Sequence, residues 1–234
     1  MNDLQREVAR RVPGAAGFGL VAPPAVPRLR AALLTDPGRV DTLLAARAAR
    51  QGTDDLRVLA TMWWYSASSV LLAPPLTGLV TGVPLSGRLD DMTLSVLPEG
   101  LPVAATSVGA SGTGLAAELR TTLDAVIPAI AEAGGMRERP LWAIATDSMA
   151  TVLLTLGRAL GDVATATGLA APLAAAIGPV LPSPRDADVG GARFVRRASC
   201  CLLYRLPGGP VCTSCPRRPP AERQLLLRDT ARRW

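Results

Sequence analysis

All four cysteines of this 234-residue chain fall between Cys200 and Cys215, spaced C-C-x10-C-x2-C. Any fold of the chain must therefore hold its preceding residues by packing alone and gather its only thiols near one end. The length and the 49% hydrophobic content suffice for a sizeable buried core, which excludes disorder as the main description. The N-terminal run MNDLQREVARRVPG carries arginines but no apolar stretch within reach of them, so a secretory signal is not expected and a cytoplasmic protein is. In that compartment clustered cysteines hold metal more often than they form disulfides.

The missing residues narrow the chemistry. There is no histidine and no lysine: all 25 cations are arginine, a bias expected of GC-rich coding. Nucleophile pairs that need histidine, HExxH zinc sites, histidine-ligated haem and Rieske clusters are excluded, as are Schiff bases and P-loop ammonium groups. What remains is carboxylates, arginines, hydroxyls and four thiols.

The charge is uneven. From Arg193 onward ten arginines face only Glu222 and Asp229, a local net of +8, whereas residues 1–192 carry a net of −2. Residues 58–87 and 163–184 carry no charge at all. Prolines interrupt both stretches, at Pro74, Pro75 and Pro84 and at Pro172, Pro179 and Pro182, so core helices are expected rather than stable membrane insertion.

The local pattern predicts a helix capped by Asp36-Pro37 and ended by Gly52. A second starts at Thr53-Asp54, with Leu56, Leu59, Ala60, Trp63, Ala67, Val70 and Leu71 at helical spacing, and is expected to stop at Ala73-Pro74-Pro75. Residues 92–96 alternate, Pro98-Glu99-Gly100 turns, and residues 101–108 can pair back as a hairpin. Helical spacing returns from Leu115 to Ile130, with a kink expected at Pro128, and again from Trp142 to Leu156. Residues 179–191 read as a loop.

The expected fold class is α+β: a predominantly helical body over residues 1–182, with a small antiparallel hairpin or sheet, and a cysteine-rich cluster-binding segment over 190–234. That segment is too small to stand alone without metal, so it is expected to pack on the body as one domain. No internal repeat is evident.

Around the cysteines, residues 202–206 are expected to run as a short strand and Pro207-Gly208-Gly209-Pro210 to reverse the chain, bringing C-x2-C opposite the vicinal pair. Four thiolates could then close a structural zinc site or share two irons. Zinc pairs usually have x2 to x4 spacing, and the adjacent pair favours the wider target of a 2Fe-2S cluster; both readings stay open on spacing alone.

The C-C-x10-C-x2-C pattern near the C-terminus resembles the FhuF-like ferric-siderophore reductases, in which four such cysteines hold a 2Fe-2S cluster. Cys200, Cys201, Cys212 and Cys215 match one for one, over about 16 residues. The resemblance implies cluster ligation by these four, no catalytic residue beyond them, and one-electron reduction of siderophore-bound Fe(III) to release Fe(II). It also implies a siderophore-binding surface on the body. With no nucleotide or flavin motif in the chain, an external electron donor is expected, such as a ferredoxin or flavin reductase.

Arg196, Arg197, Arg205, Arg217 and Arg218 flank the cysteines and are candidates to dock an acidic donor or an anionic chelate. The plainer expectation pairs some with body carboxylates such as Asp90 and Asp91. Trp63, Trp64 and Tyr65 could line a siderophore pocket, although ordinary core packing is expected for two or more. Asp147 and Asp162 are expected to cap helices or face solvent, and Ser111-Gly112-Thr113-Gly114 to cap a helix rather than bind phosphate.

Two rival functions remain on sequence grounds. One is a four-cysteine zinc or iron-sulfur regulator that binds nucleic acid through its arginine-rich tail, although no helix-turn-helix signature is present and specific nucleic-acid binding is not expected. The other is a non-catalytic siderophore-binding protein.

Overall fold

The computed structural model describes residues 3–112 and 114–233. Helix α1 (Asp3–Arg11) leads through a short strand β1 (Arg28–Arg30) to α2 (Pro37–Gln51) and the long α3 (Leu56–Thr81). Strands β2 (Met92–Val96) and β3 (Pro102–Ser107) precede α4 (Leu115–Ala133), α5 (Glu138–Leu160), α6 (Val163–Gly168) and α7 (Ala170–Ile177). The chain ends with β4 (Asp186–Val189), β5 (Ala192–Val195) and α8 (Pro220–Ala231). The α+β class and its helical predominance are as expected.

The uncharged α3 is the axis of the body and packs along α5. Trp63 and Trp64 are fully buried on it, and each indole N–H finds a carbonyl at 2.9 Å, Gly100 O and Leu141 O respectively. Both are therefore core residues, as expected for two of the three aromatics. Ser68 and Ser148 bridge the two helices at 2.7 Å.

Helix α3 does not stop at Pro74-Pro75 but continues to Thr81, capped by Asp55 and Gly82. The two prolines remove the donors that would serve the carbonyls of Val70 and Leu71. Residues 71–78 are nonetheless all buried. Unwinding there would leave more buried backbone groups unpaired than the two prolines do, so packing overrides the local signal. Asp36 and Gly52 bound α2 as expected, with Gly38 N–H donating to Asp36 Oδ1 at 2.9 Å.

The expected hairpin is present: β2 pairs antiparallel with β3, Leu94 opposite Ala105. Strand β1, not expected from so short a run, adds to the other side of β2. Beyond the sheet, buried Gln5 of α1 donates to Leu20 O and Ala105 O at 2.8 Å and accepts from Ser107 N–H. At the start of α4, buried Glu118 accepts the N–H groups of Gly87 and Gly112, each at 2.8 Å. A carboxylate of the chain thus sits beside the glycine motif, at which Gly114 is the cap residue and Thr113 lies outside the described residues.

The segment read as a loop over 179–191 contains β4, which pairs antiparallel with β5 through Gly190-Gly191. Both glycines have positive φ, 62° and 81°, as a tight two-residue turn requires. Helix α8 covers this hairpin over a small cluster of Val189, Phe194 and Leu227. Among the described residues one helix, α5, is long and apolar enough to cross a membrane, but 78% of its apolar window is buried within the protein.

Candidate iron-sulfur centre

The centre is built against the face where α3 and α5 meet the chain leaving β5. On α5, Asp147 is only 3% exposed. Its carboxylate accepts the N–H of Ala198 at 2.8 Å and of Ser199 at 2.9 Å, and also the Ser199 hydroxyl. The vicinal cysteines follow immediately. Asp147 thus fixes the backbone from which Cys200 and Cys201 project; it neither caps a helix nor faces solvent, contrary to expectation. Asp162 does cap α6, accepting from Thr165 N–H at 3.0 Å.

From α3, Tyr65 reaches the same loop, its hydroxyl hydrogen-bonded to Ser199 Oγ. Burial holds this phenol well above its ordinary pKa, so it stays protonated. Arg197 stacks over the Tyr65 ring at 4.2 Å, lies 4.0 Å from Asp147 Oδ2, and directs Nη1 to Cys212 Sγ at 3.7 Å. Burial works against its charge, but Tyr65, Cys201 and Cys212 outweigh that and raise its pKa.

Residues 202–206 do not form a strand. Leu202 adopts a left-handed conformation, φ 58°, and Leu203–Arg205 make a single 3-10 turn. That left-handed step turns the chain directly after the vicinal pair, and the Leu202 N–H meets the Cys200 thiol. The reversal itself occurs where expected: Gly208 has φ 69°, and a Cβ on Gly209 would lie 2.0 Å from Leu203 O.

The returning Cys212–Cys215 stretch is held by arginines acting as backbone clamps. Arg218 donates to Cys212 O at 3.0 Å and Val211 O at 2.6 Å, and Arg223 to Cys215 O at 3.3 Å. The thiols meet in two pairs, Cys200 with Cys215 and Cys201 with Cys212. Cys215 is 2% exposed and the other three are half-buried.

Burial pushes the Cys200 thiol up, the Leu202 N–H pulls it back, and Cys215 and Cys201 push it up again. For Cys212, burial and then Cys201 raise the pKa while Arg197 opposes them. At Cys200 and Cys212 the protonated thiol is therefore favoured, and a bound cationic centre would stabilise the thiolate form. Among the described residues no three His, Cys, Asp or Glu side chains close around a position for one metal ion. Two adjoining thiol pairs could hold two irons that share four thiolates.

Residues 197–217 match the FhuF 2Fe-2S C-terminal domain. Over this stretch the chain resembles the FhuF-like family. The matched stretch runs from Arg197 to Arg217 and contains all four cysteines, and the cofactor of this FhuF-type segment is a 2Fe-2S cluster. No curated protein matches the chain.

The flanking arginines have separate places. Arg197 and Arg218 are committed to the contacts above. Arg205 lies 3.4 Å from Asp55, and Arg217 stacks 4.9 Å over Tyr204. The carboxylates that meet the segment are therefore Asp147 and Asp55, not Asp90 and Asp91; Asp91 faces Ser86 and Arg88. Arg196 is exposed beside a cleft, described below. Sequence reasoning missed the anchoring role of Asp147, whose only local signal was a carboxylate within the apolar run of α5, and the clamps Arg218 and Arg223.

Proposed function

We propose that the protein is a ferric-siderophore reductase in which Cys200, Cys201, Cys212 and Cys215 hold the 2Fe-2S cluster. The observation that carries this reading is the convergence of the four thiols within the stretch matched to the FhuF 2Fe-2S domain. Bound there, such a cluster takes up and passes on electrons one at a time.

The chain's own groups prepare the site. Asp147 holds the vicinal-pair loop rigid, Arg197 places positive charge against Cys212, and Arg218 and Arg223 fix the C-x2-C backbone. Hydrogen bonds and charge around the sulfurs set the potential. The substrate is chelated Fe(III); it gains one electron from a separate donor protein and leaves as Fe(II), which hard oxygen donors bind far less tightly. No histidine base or covalent intermediate is required. We place the reaction in the cytoplasm, with a ferredoxin or flavin reductase as donor.

Several tail arginines a nucleic-acid reading would need are used internally: Arg193 on Asp188, Arg218 on Glu222 and Arg233 on Asp229. The test is anaerobic purification with iron and acid-labile sulfide analysis, followed by reoxidation of the dithionite-reduced protein with ferric siderophores while a ferrous chelator traps released iron. A reddish protein reoxidised with stoichiometric Fe(II) release is expected. A colourless protein holding one zinc, or no reoxidation by hydroxamate, catecholate and carboxylate chelates, would overturn the reading.

A further inference from the structure

Next to the thiols, a cleft of about 560 Å³ opens between the β4–β5 hairpin and α8. Its lining includes the apolar Val189, Val195 and Leu227 and the arginines Arg185, Arg196, Arg197 and Arg223. Ser214 and Pro216, the residues on either side of buried Cys215, form part of its wall.

The two exposed arginines are placed by sheet register. Asp186 pairs with Val195, and one step further Arg196 N–H donates to Arg185 O at 2.8 Å. Arg185 and Arg196 therefore stand opposite each other at the open end of the ladder. They share the face that carries Ala187 and Phe194, whose apolar side packs with Leu227 of α8. Like charges directly opposite across a ladder destabilise it, and neither guanidinium has an acidic partner among the described contacts. The one acid lining the cleft, Asp188, is held by Arg193 through both oxygens, at 2.8 and 2.9 Å. The result is a concave, net-positive site of small-ligand size, walled by the C-x2-C stretch.

A neighbouring cleft of about 410 Å³ is lined by Tyr65, Asp147, Arg158 and Arg197 with several hydroxyls. Its charged groups already serve one another or the chain: Asp147 holds the cysteine loop, and Arg158 donates to Arg193 O at 2.5 Å. The charge left to a ligand lies in the hairpin–α8 cleft.

We infer that this cleft is the docking site for the ferric chelate and selects anionic chelates, of the catecholate or carboxylate class, over neutral hydroxamate complexes. The inference rests on the reductase reading and adds the site and the charge class of its substrate. An anionic oxygen-rich complex relieves the Arg185–Arg196 repulsion and lies against Ser214 and Pro216, the neighbours of buried Cys215.

The test uses redox-inert gallium(III) complexes, so that binding is read apart from electron transfer. Affinities of the cluster-bearing protein for a trianionic gallium tricatecholate and a neutral gallium trihydroxamate are measured at low and high salt. The wild type is expected to prefer the trianion by about tenfold or more, with the preference shrinking as salt rises. The double variant Arg185→Gln/Arg196→Gln should lose most of that preference while its visible spectrum stays that of the wild type. Equal affinity for the two complexes, or an unchanged preference in the double variant, overturns the inference even if the wild type reduces ferric chelates. Tight trianion binding abolished by the double variant sustains the site even if no chelate is reduced, in which case the reductase reading alone fails. Loss of reduction by an acidic ferredoxin with chelate affinity intact would assign the arginines to the donor and overturn the inference.

Discussion

The body and the cysteine segment are stabilised by different physics. The body is organised around one continuous apolar cluster that runs from Val12 to Leu181 and centres on α3, with Trp63 and Trp64 filling it. Among the described residues beyond 182 the buried apolar cluster is Val189, Phe194 and Leu227, with three alanines packed against it, and polar groups bond the segment to the body. Asp147, Tyr65, Arg218 and Arg223 each bond a backbone group or hydroxyl of that segment. A segment with so small a core is expected to depend on its anchors and its metal, and the body on its own apolar packing.

The largest effect should come from removing a thiolate. Cys215→Ser should abolish the visible chromophore and leave residues beyond 182 open to proteolysis, while helical circular dichroism of the body persists. Simultaneous loss of both would show that the two regions are not separable in this way.

Breaking the other region gives the converse. Trp64→Ala removes a fully buried indole and its hydrogen bond to Leu141 O, and should cost about 3–5 kcal/mol of global stability in urea unfolding. Protein that does fold should retain its cluster spectrum.

Asp147→Ala joins the two regions. It leaves the N–H groups of Ala198 and Ser199 without their acceptor, at about 1–3 kcal/mol. The cost should fall on the segment: reduced iron occupancy and faster amide exchange at 196–201, with little change in exchange within α3. Asp147→Asn, which keeps an acceptor, should recover part of the occupancy.

The smallest effect is on tuning. Arg197→Gln withdraws a positive charge from beside Cys212 and disfavours the more negative reduced state. The midpoint potential should fall by on the order of 50 mV, about a tenfold change in a one-electron equilibrium. Protein-film voltammetry reads it, and an unchanged potential would assign Arg197 to packing on Tyr65 alone.

Much of the body was legible because its signals are local. Asp36-Pro37 and Gly52 bound α2, and the alternation at 92–96 pairs with the strand after Gly100. Strands β1 and β4 were not legible, since three or four residues with at most one buried side chain carry almost no periodicity. Pro74-Pro75 misled because proline is a local signal and the burial that overrides it is not. Leu202 misled for the converse reason: a left-handed leucine has no local signature and exists only because the surroundings enforce it.

By itself the sequence determined the chemical inventory. Four thiols within sixteen residues, with no histidine or lysine elsewhere, confine the metal chemistry to that segment, where spacing alone left zinc and iron-sulfur both open. Only the tertiary structure decided what surrounds those thiols. Asp147 lies 52 positions before Ser199 and Tyr65 lies 134 before it, separations at which residue spacing carries no information about contact. The pairing of Arg185 with Arg196 depends on a register that forms only when β4 closes on β5 beneath α8. Ligand identity is written in adjacent residues; the field and shape around the ligands arise from distant ones brought together by burial.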